Sequence, residues 1–256
     1  MQNNTFSALF IGQNLVKLSS VASTNNYLKD LVSNSGPLAE GTVIMADHQF
    51  AGKGQLQNVW ESEAGKNLTI SILLKPNFLG IEQQFELNKV VALALLDVLT
   101  PLFGAKVSIK WPNDILVAGK KIAGILIENT LQGSRWKHAV VGIGLNVNQT
   151  QFSPNLTRAT SIKNVLQTEY NLNSLLADLC VALERRYLQV RAQKFADLHR
   201  DYLQHLFKFG EQSKFRVGDE VIEAEISGVS LTGLLELNTS KGTRTFGFKE
   251  IAFCFD

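Results

Sequence analysis

The sequence predicts an α+β protein: a mixed, largely antiparallel sheet flanked by helices, followed by a small C-terminal β-barrel. Three observations point there. Apolar strand-like runs are numerous, and several follow one another through short turns, as antiparallel hairpins do and βαβ units do not. Two long segments carry helical spacing instead. Beyond Gly210 the chain changes to short alternating runs, "SKFRV", "EVIEAEISGVS", "GLLELNT" and "GTRTFGFKEIAF", the pattern of a small all-β meander. The expected division is therefore 1–208 for the main unit and 209–256 for the small one.

The elements follow in order. "LVKLSS" reads as a short strand, and "STNNYLKDLVSNSG" as a helix that Ser23 or Thr24 caps and Gly36-Pro37 ends. "TVIMAD" is a strand by its β-branched content, and "HQFAGKGQLQNVW" a loop. "NLTISILLKP" reads as an alternating strand closed by Pro76. From Glu82 to about Leu102 the apolar spacing suits a helix. "KVSIKWP" is a strand stopped by Pro112, and "DILVAGKKIAGILIEN" a hairpin turning at Ala118-Gly119-Lys120. "HAVVGIGLNVN" is an apolar strand containing two glycines, and one long helix is expected from Leu172 to about Phe207. This order favours a sheet with helices on one face.

Composition narrows the function. Nearly half of the 256 residues are apolar, enough for one substantial core with a satellite unit. The net charge of +2 leaves no basic footprint for DNA or RNA. The N-terminus lacks the basic start and apolar core of a secretory signal. "VVALALLDVL" falls short of the roughly 20 residues that span a bilayer. Cys180 and Cys254 sit among apolar residues and read as small core hydrophobes. The four histidines do not cluster with them into a metal site. These features fit a cytoplasmic protein.

Four segments could carry chemistry. In "AGKGQ", glycines let backbone N–H groups approach an anion and Lys53 adds a point charge, so a phosphate cradle competes with a plain solvated turn. Trp111-Pro112-Asn113-Asp114 stops a strand and aims an amide and a carboxylate at one end of the sheet. These side chains could meet Mg2+ or orient an amine, or simply form an Asx turn. Lys121, at the start of the return strand, could reach the same place or remain solvated. Ser23, Thr24 and Asn25 either cap a helix or bind a polar, neutral head group such as a urea. Gly142 and Gly144 would let a ligand lie against their strand, or mark a bulge.

Taken together, "STNNYL", "ADHQFAGKGQLQNVW", "KWPNDIL", "GKKIAGILIE" and "GIGLNVN" resemble, in order and spacing, the biotin–protein ligases, over nearly the whole chain. The resemblance implies a class II synthetase-like catalytic core with a small C-terminal barrel. It also implies an ATP- and Mg2+-dependent ligase that makes biotinyl-5′-AMP and passes biotin to a lysine of a biotin carboxyl carrier domain, of the acetyl-CoA carboxylase type. By resemblance, Ser23, Thr24 and Asn25 line the biotin pocket with Gln49 near the head group. Gly52, Lys53 and Gly54 match the glycine-rich loop that closes over the adenylate. Lys121 matches the lysine shared by biotin's carboxylate and the phosphate, and Lys53 and Asp114 join it in catalysis. Gly124, Gly142 and Gly144 match residues around the pocket. Gln55, Trp60, Asn113 and Asn146 fall with Lys53 and Lys121 on the nucleotide side, and Asn113 and Asp114 on the metal side. A homodimer through an exposed sheet edge is compatible with this reading. A lipoate or octanoate ligase of the same superfamily fits "KWPND…GKK" less well, and a non-catalytic sensor of the adenylate is the alternative from another class.

Two departures matter. The family loop usually reads close to G-R-G-R-x-G-R/N-x-W. Here Lys53 replaces a planar guanidinium fork with a point charge, Gln55 is neutral where arginine is common, and Gln57 replaces a glycine. The expected consequence is a weaker electrostatic hold on the adenylate. The stretch ahead of Ser23 is also too short for the helix-turn-helix domain that some members carry. The expectation is a monofunctional ligase without DNA binding.

Overall fold

The computed structural model describes residues 7–55, 58–133 and 135–255. Strand β1 (Leu15–Val21) leads into α1 (Thr24–Asn34), capped by the Ser23 hydroxyl, which accepts from the Asn26 N–H. Strands β2 (Val43–Gln49) and β3 (Leu68–Leu74) enclose the glycine-lysine loop. Then come α2 (Gln84–Phe103), β4 (Val107–Lys110), β5 (Asp114–Val117), β6 (Lys120–Gln132) and β7 (Arg135–Leu145). Three helices follow: α3 (Ile162–Leu166), α4 (Leu172–Arg191) and α5 (Phe195–Gln204). The seven strands form one sheet in the order β1-β2-β3-β7-β6-β5-β4. The β1–β2 pair is parallel and the rest are antiparallel. The β5–β6 turn has φ of 48° at Ala118 and 75° at Gly119, the positive pair that a tight hairpin of this hand needs.

Several expectations need correction. The helices do not share one face. α2 packs with α4 and α5 on one side, whereas α1 covers the other, with Leu28 against Ile44, Leu73 and Val140. That second layer explains β3, which is buried at all seven positions rather than alternating. The long helix expected to run to Phe207 is two helices. The chain takes φ of 57° at Gln193, which ends α4 and lets α5 turn back. The short α3 had no counterpart in the sequence reading. Residues Ile81–Lys106 are long and apolar enough to cross a membrane by length and composition alone, but α2 lies in the core with thirteen of its residues buried. Cys180 is buried, and burial, helped by nearby Glu184, pushes its thiol up to about 12; Cys254 is only half-buried.

The C-terminal residues form a five-stranded antiparallel sheet: β8 (Gln212–Val217), β9 (Glu220–Val229), β10 (Leu235–Thr239), β11 (Gly242–Phe246) and β12 (Ala252–Phe253), ordered β11-β10-β9-β8-β12. Its buried Phe215, Ile226, Leu235 and Leu237 belong to the same apolar cluster as the main sheet. The joint is specific. The Trp111 indole N–H donates to the Gly233 carbonyl at 2.9 Å. Gly233 has φ of +90°, and a Cβ there would lie 2.4 Å from the Phe85 ring, so both its conformation and its surroundings demand glycine.

The N-terminal end of the described chain is fastened by one carboxylate. Glu184, 5% exposed on α4, accepts the backbone N–H groups of Leu9 (2.7 Å), Phe10 (2.7 Å) and Ile11 (3.0 Å). An amide offers one accepting oxygen where the carboxylate offers two. Glu184→Gln is therefore expected to lower stability by about 2 kcal/mol, read as a reduced urea midpoint at constant slope. An unchanged midpoint would mean that the anchor contributes nothing.

Candidate active site

A cavity of about 260 Å³ opens where α1, the ends of β4–β7 and the glycine-lysine loop converge. One wall is a chain of polar side chains at the start of α1. The Thr24 N–H donates to Gln49 Oε1 at 2.9 Å, and the Thr24 hydroxyl lies 3.2 Å from the same oxygen. The Ser71 hydroxyl lies 2.8 Å from Thr24 Oγ1 and 2.5 Å from Asn25 Oδ1. Asn25 Nδ2 donates to Glu128 Oε2 at 2.8 Å and to the Leu126 carbonyl at 3.3 Å. Because a backbone N–H holds Gln49 Oε1, the Gln49 Nε2 group is turned toward the loop, 2.5 Å from where a Gly52 Cβ would stand.

The loop is a small closed structure. Lys53 and Val59 form an antiparallel bridge, the Gly54 N–H donates to the Asn58 carbonyl at 2.7 Å, and the Trp60 N–H donates to Gly52 at 3.0 Å. Lys53 Nζ reaches Asn26 Oδ1 at 3.2 Å. Gln57 lies outside the described residues. Trp60 ends the loop with its indole laid on a floor of two glycines, Gly124 on β6 and Gly144 on β7, which are cross-strand partners. A Cβ on Gly144 would be 2.2 Å from the indole and one on Gly124 3.0 Å. Gly142 is covered in the same way by Asn25, whose Oδ1 lies 2.5 Å from a would-be Cβ. Where a ligand was expected to lie against Gly142 and Gly144, two protein side chains do so.

Opposite the polar wall stands a charged cluster. Lys121 Nζ is 2.6 Å from Asp114 Oδ1 and 5.7 Å from the centre of a Trp60 ring, and Lys110 Nζ is 3.9 Å from Asp114 Oδ2. Burial holds Lys110 below the ordinary lysine range; Asp114 acts against this, while Lys121 and Arg158 add to it. A β-bulge creates the cluster. Asp114 pairs with Gly124, but Leu116 pairs with Lys121, so partners three apart on β6 face two residues on the same side of β5. Regular alternation would send Lys121 and Gly124 to opposite faces; the irregularity turns both toward the cavity. Lys121 is then held by backbone, its N–H donating to Arg158 at 2.6 Å and its carbonyl accepting from Thr160 at 2.8 Å. Asn113 Nδ2 donates to the Ile125 carbonyl at 2.8 Å, steadying the turn that carries Asp114.

Of the residues predicted for the site, Ser23, Thr24, Asn25, Gln49, Lys53, Gly54, Gln55, Trp60, Asn113, Asp114, Lys121, Gly124, Gly142 and Gly144 line the cavity. Gly52 and Asn146 do not. Gly52 lies behind the loop against Gln49 and the Trp60 carbonyl. Asn146 is buried beside the bulge, where its N–H donates to Ile122 and its Nδ2 to Thr160, leaving Oδ1 buried without a partner. The sequence reading passed over Lys110, though it sits within "KWPND", and Phe248, which the second sheet contributes to the cavity wall. It also passed over Ser71, for which no local pattern existed, and gave no role to Glu128, although that residue closes the "GKKIAGILIE" segment.

A fold of this topology, with a polar pocket, a glycine-lysine loop and a lysine–aspartate pair on one sheet end, defines a ligase-type site. Residues 18–146 match the model of the biotin/lipoate A/B protein ligase family. The chain is 30% identical over 216 residues to the biotin–[acetyl-CoA-carboxylase] ligase of Paracoccus denitrificans, covering 82% of this chain and 89% of that protein. It is 29% identical over 237 residues to the bifunctional ligase/repressor BirA of Bacillus subtilis, covering 91% of this chain and 72% of that protein. Among solved structures it resembles the biotin protein ligase from Aquifex aeolicus in complex with biotin and ATP, with a TM-score of 0.79 and 26% identity over 95% of this chain and all of that one. The chain belongs to the biotin/lipoate A/B protein ligase family.

Proposed function

We propose that this chain is an ATP-dependent biotin–protein ligase that forms biotinyl-5′-AMP and transfers biotin to a lysine of a carrier domain of the acetyl-CoA carboxylase type. The observation that carries the reading is the single cavity bounded by an amide-rich wall at one end and by Lys121 and Asp114 at the other. In the first step a biotin carboxylate oxygen attacks the α-phosphorus. The bond from that phosphorus to the bridging oxygen breaks and diphosphate leaves. No protein nucleophile is needed, only positioning and neutralisation of charge on the phosphate oxygens. Ser23, Thr24, Asn25 and Gln49 hold the head group, and Gly124, Gly142 and Gly144 keep the floor low. Lys121 and Lys53 meet the carboxylate and phosphate, and Gly52 and Gly54 let the loop close.

The nucleotide side comprises Lys53, Gln55, Trp60, Asn113, Lys121 and Asn146. Unpartnered buried atoms of two cavity-lining residues support it: Gln55 Oε1 and Trp60 Nε1. So does a neighbouring cavity that shares Lys110, Asp114 and Lys121 and is lined by Leu156, Arg158 and Phe255. No cluster of three acidic, histidine or cysteine ligands occurs among the described residues. The donors present fit Mg2+ brought in on the triphosphate, with Asp114 and Asn113 as its protein oxygens, since Mg2+ is ordinarily held by one or two carboxylates plus phosphates. When bound, it would neutralise phosphate charge. In the second step the acceptor amine attacks the anhydride carbonyl, AMP leaves and the amide forms. Asp114 orients that amine and takes its proton.

We assign residues 1–208 to catalysis and 209–256 to a small C-terminal unit, and place the protein in the cytoplasm. Its partner is a biotin carboxyl carrier domain, and the outer edge of β1 could pair two copies into a dimer, since that of β4 is already bonded through Ile109 to His205 and Phe207. Incubation with ATP, labelled biotin and a carrier domain tests the assignment: label on the carrier supports a ligase, while bound label without transfer supports a sensor. The loop offers a finer prediction. Gln55→Arg adds a cation beside the phosphate and should slow release of the adenylate several-fold. Equal release rates, measured after quenching with excess unlabelled biotin, would sink the idea that Gln55 loosens the hold.

A further inference from the structure

We propose that Glu128 is a positioning residue: it fixes the direction of the Asn25 amide and thereby makes this end of the pocket select a ligand N–H. The inference deepens the biotin reading above and rests on it. An asparagine amide has two nearly isosteric ends, and what it offers a ligand depends on which way it is turned. At Asn25 the neighbours leave one choice. Both hydrogens on Nδ2 are engaged, one by Glu128 Oε2 at 2.8 Å and one by the Leu126 carbonyl at 3.3 Å. A carboxylate can only accept, so the amine end must face it. Oδ1 is left on the Gly142 side, where it takes the Ser71 hydroxyl with one lone pair and keeps the other. Gly142 and Asn25 both line the cavity, so the pocket meets an acceptor there.

The charge of Glu128 is itself held. Lys29, one turn along α1 from Asn25, places Nζ 2.6 Å from Glu128 Oε1, leaving Oε2 for the amide. Ser71 sits between Asn25 and Thr24 with one hydroxyl proton, and because Asn25 Oδ1 can only accept, that proton serves the shorter contact to Asn25, 2.5 Å against 2.8 Å. The wall is therefore fixed in direction at both of its amides. It ends in an acceptor at Asn25 Oδ1 and a donor at Gln49 Nε2. A cyclic urea has the complementary pattern, an N–H beside a carbonyl. Glu128 lies 103 positions from Asn25, so the segments that carry them, "GKKIAGILIE" and "STNNYL", meet only through the fold.

The test uses a polarity swap. In E128Q the new amide can accept from Asn25 or, if both amides turn, donate to it, so the direction is no longer imposed. N25D sets two carboxylates against each other. The double variant N25D/E128Q restores one negative charge and one hydrogen bond, now donated from the position 128 side, with an acceptor still facing the cavity. Calorimetry with biotin should give about tenfold weaker binding for E128Q, at least as much loss for N25D, and recovery to within about threefold of the parent in the double variant. The KM for biotin should follow the same order, with kcat at saturating biotin and the KM for ATP unchanged, and with equal melting temperatures for parent and E128Q. A parent that binds biotin while E128Q binds it equally well, or a double variant no better than the worse single, overturns the role of Glu128. A parent that does not bind biotin overturns the proposed function, and this inference with it.

Discussion

Lys121→Ala is expected to slow biotinyl-adenylate formation by about a thousandfold while leaving the fold intact. Removing one preorganised donor to developing charge typically costs ~10²–10³ in rate, and Lys121 is asked to serve both the attacking carboxylate and the phosphate. Two like charges must approach before any bond forms, so the loss should stand at the upper end of that range. The fold should survive because the lysine's main-chain bonds to Arg158 and Thr160 do not depend on its side chain. Asp114 keeps Lys110 at 3.9 Å. Lys121→Arg retains charge and should recover part of the rate, though a planar fork cannot reproduce a compact ammonium 2.6 Å from one carboxylate oxygen. The check is pre-steady-state adenylate formation, with biotin affinity measured separately. A rate within tenfold of the parent would remove Lys121 from the centre of the mechanism.

The second large effect is expected from a single methyl group. Gly144→Ala would put Cβ 2.2 Å from Cε2 and 2.4 Å from Cζ2 of Trp60, distances that no packed carbon tolerates. The strand cannot yield, because Gly144 sits mid-sheet between Thr69 on β3 and Gly124 on β6. The indole must lift instead, and its backbone bond to Gly52 pulls the loop with it. Misplacing positioning groups by about 1 Å costs ~10²-fold in rate, and that is the loss expected here. Trp111 and Trp136, the other two tryptophans, are buried, but Trp111 lines the same cavity, so only the part of an emission change that Trp60→Phe abolishes reports on Trp60. Gly36→Ala, where a Cβ meets nothing within 4 Å, is the matched control and should be neutral. Activity within a few-fold of the parent in Gly144→Ala would show that the indole has no fixed seat.

The sequence revealed most of what local pattern governs. The succession of strands along the chain, the Ser23 cap, the Ala118-Gly119 turn and the four polar segments were legible because each is a run of neighbouring residues with a period or a punctuation mark. What escaped depends on packing across the fold. The long apolar helix breaks at Gln193, a residue with no special preference for positive φ. β3 lost its alternation because α1 covers its second face. Lys121 could be suspected from its motif, but its orientation comes from a bulge that pairs it with Leu116, and a bulge leaves no mark in a hydrophobic pattern. Gly142 and Gly144 read as places where a ligand lies against the strand, whereas protein side chains cover both. The approaching groups, Asn25 and Trp60, come from 117 and 84 positions upstream, beyond any local reading.

The joint at Trp111 limits how this protein can be rearranged. Its indole is bonded to Gly233, its ring meets Phe248 edge-on at 6.5 Å, and Phe248 itself forms part of the cavity wall. The residue that opens the Asn113-Asp114 turn is therefore also the socket for the second sheet. A C-terminal sheet taken from a relative would have to bring a glycine at the same contact and a side chain of matching depth. Otherwise the graft would reshape the pocket even while both halves folded. The small sheet is thus no interchangeable cassette, and chimeras in this family should be cut elsewhere.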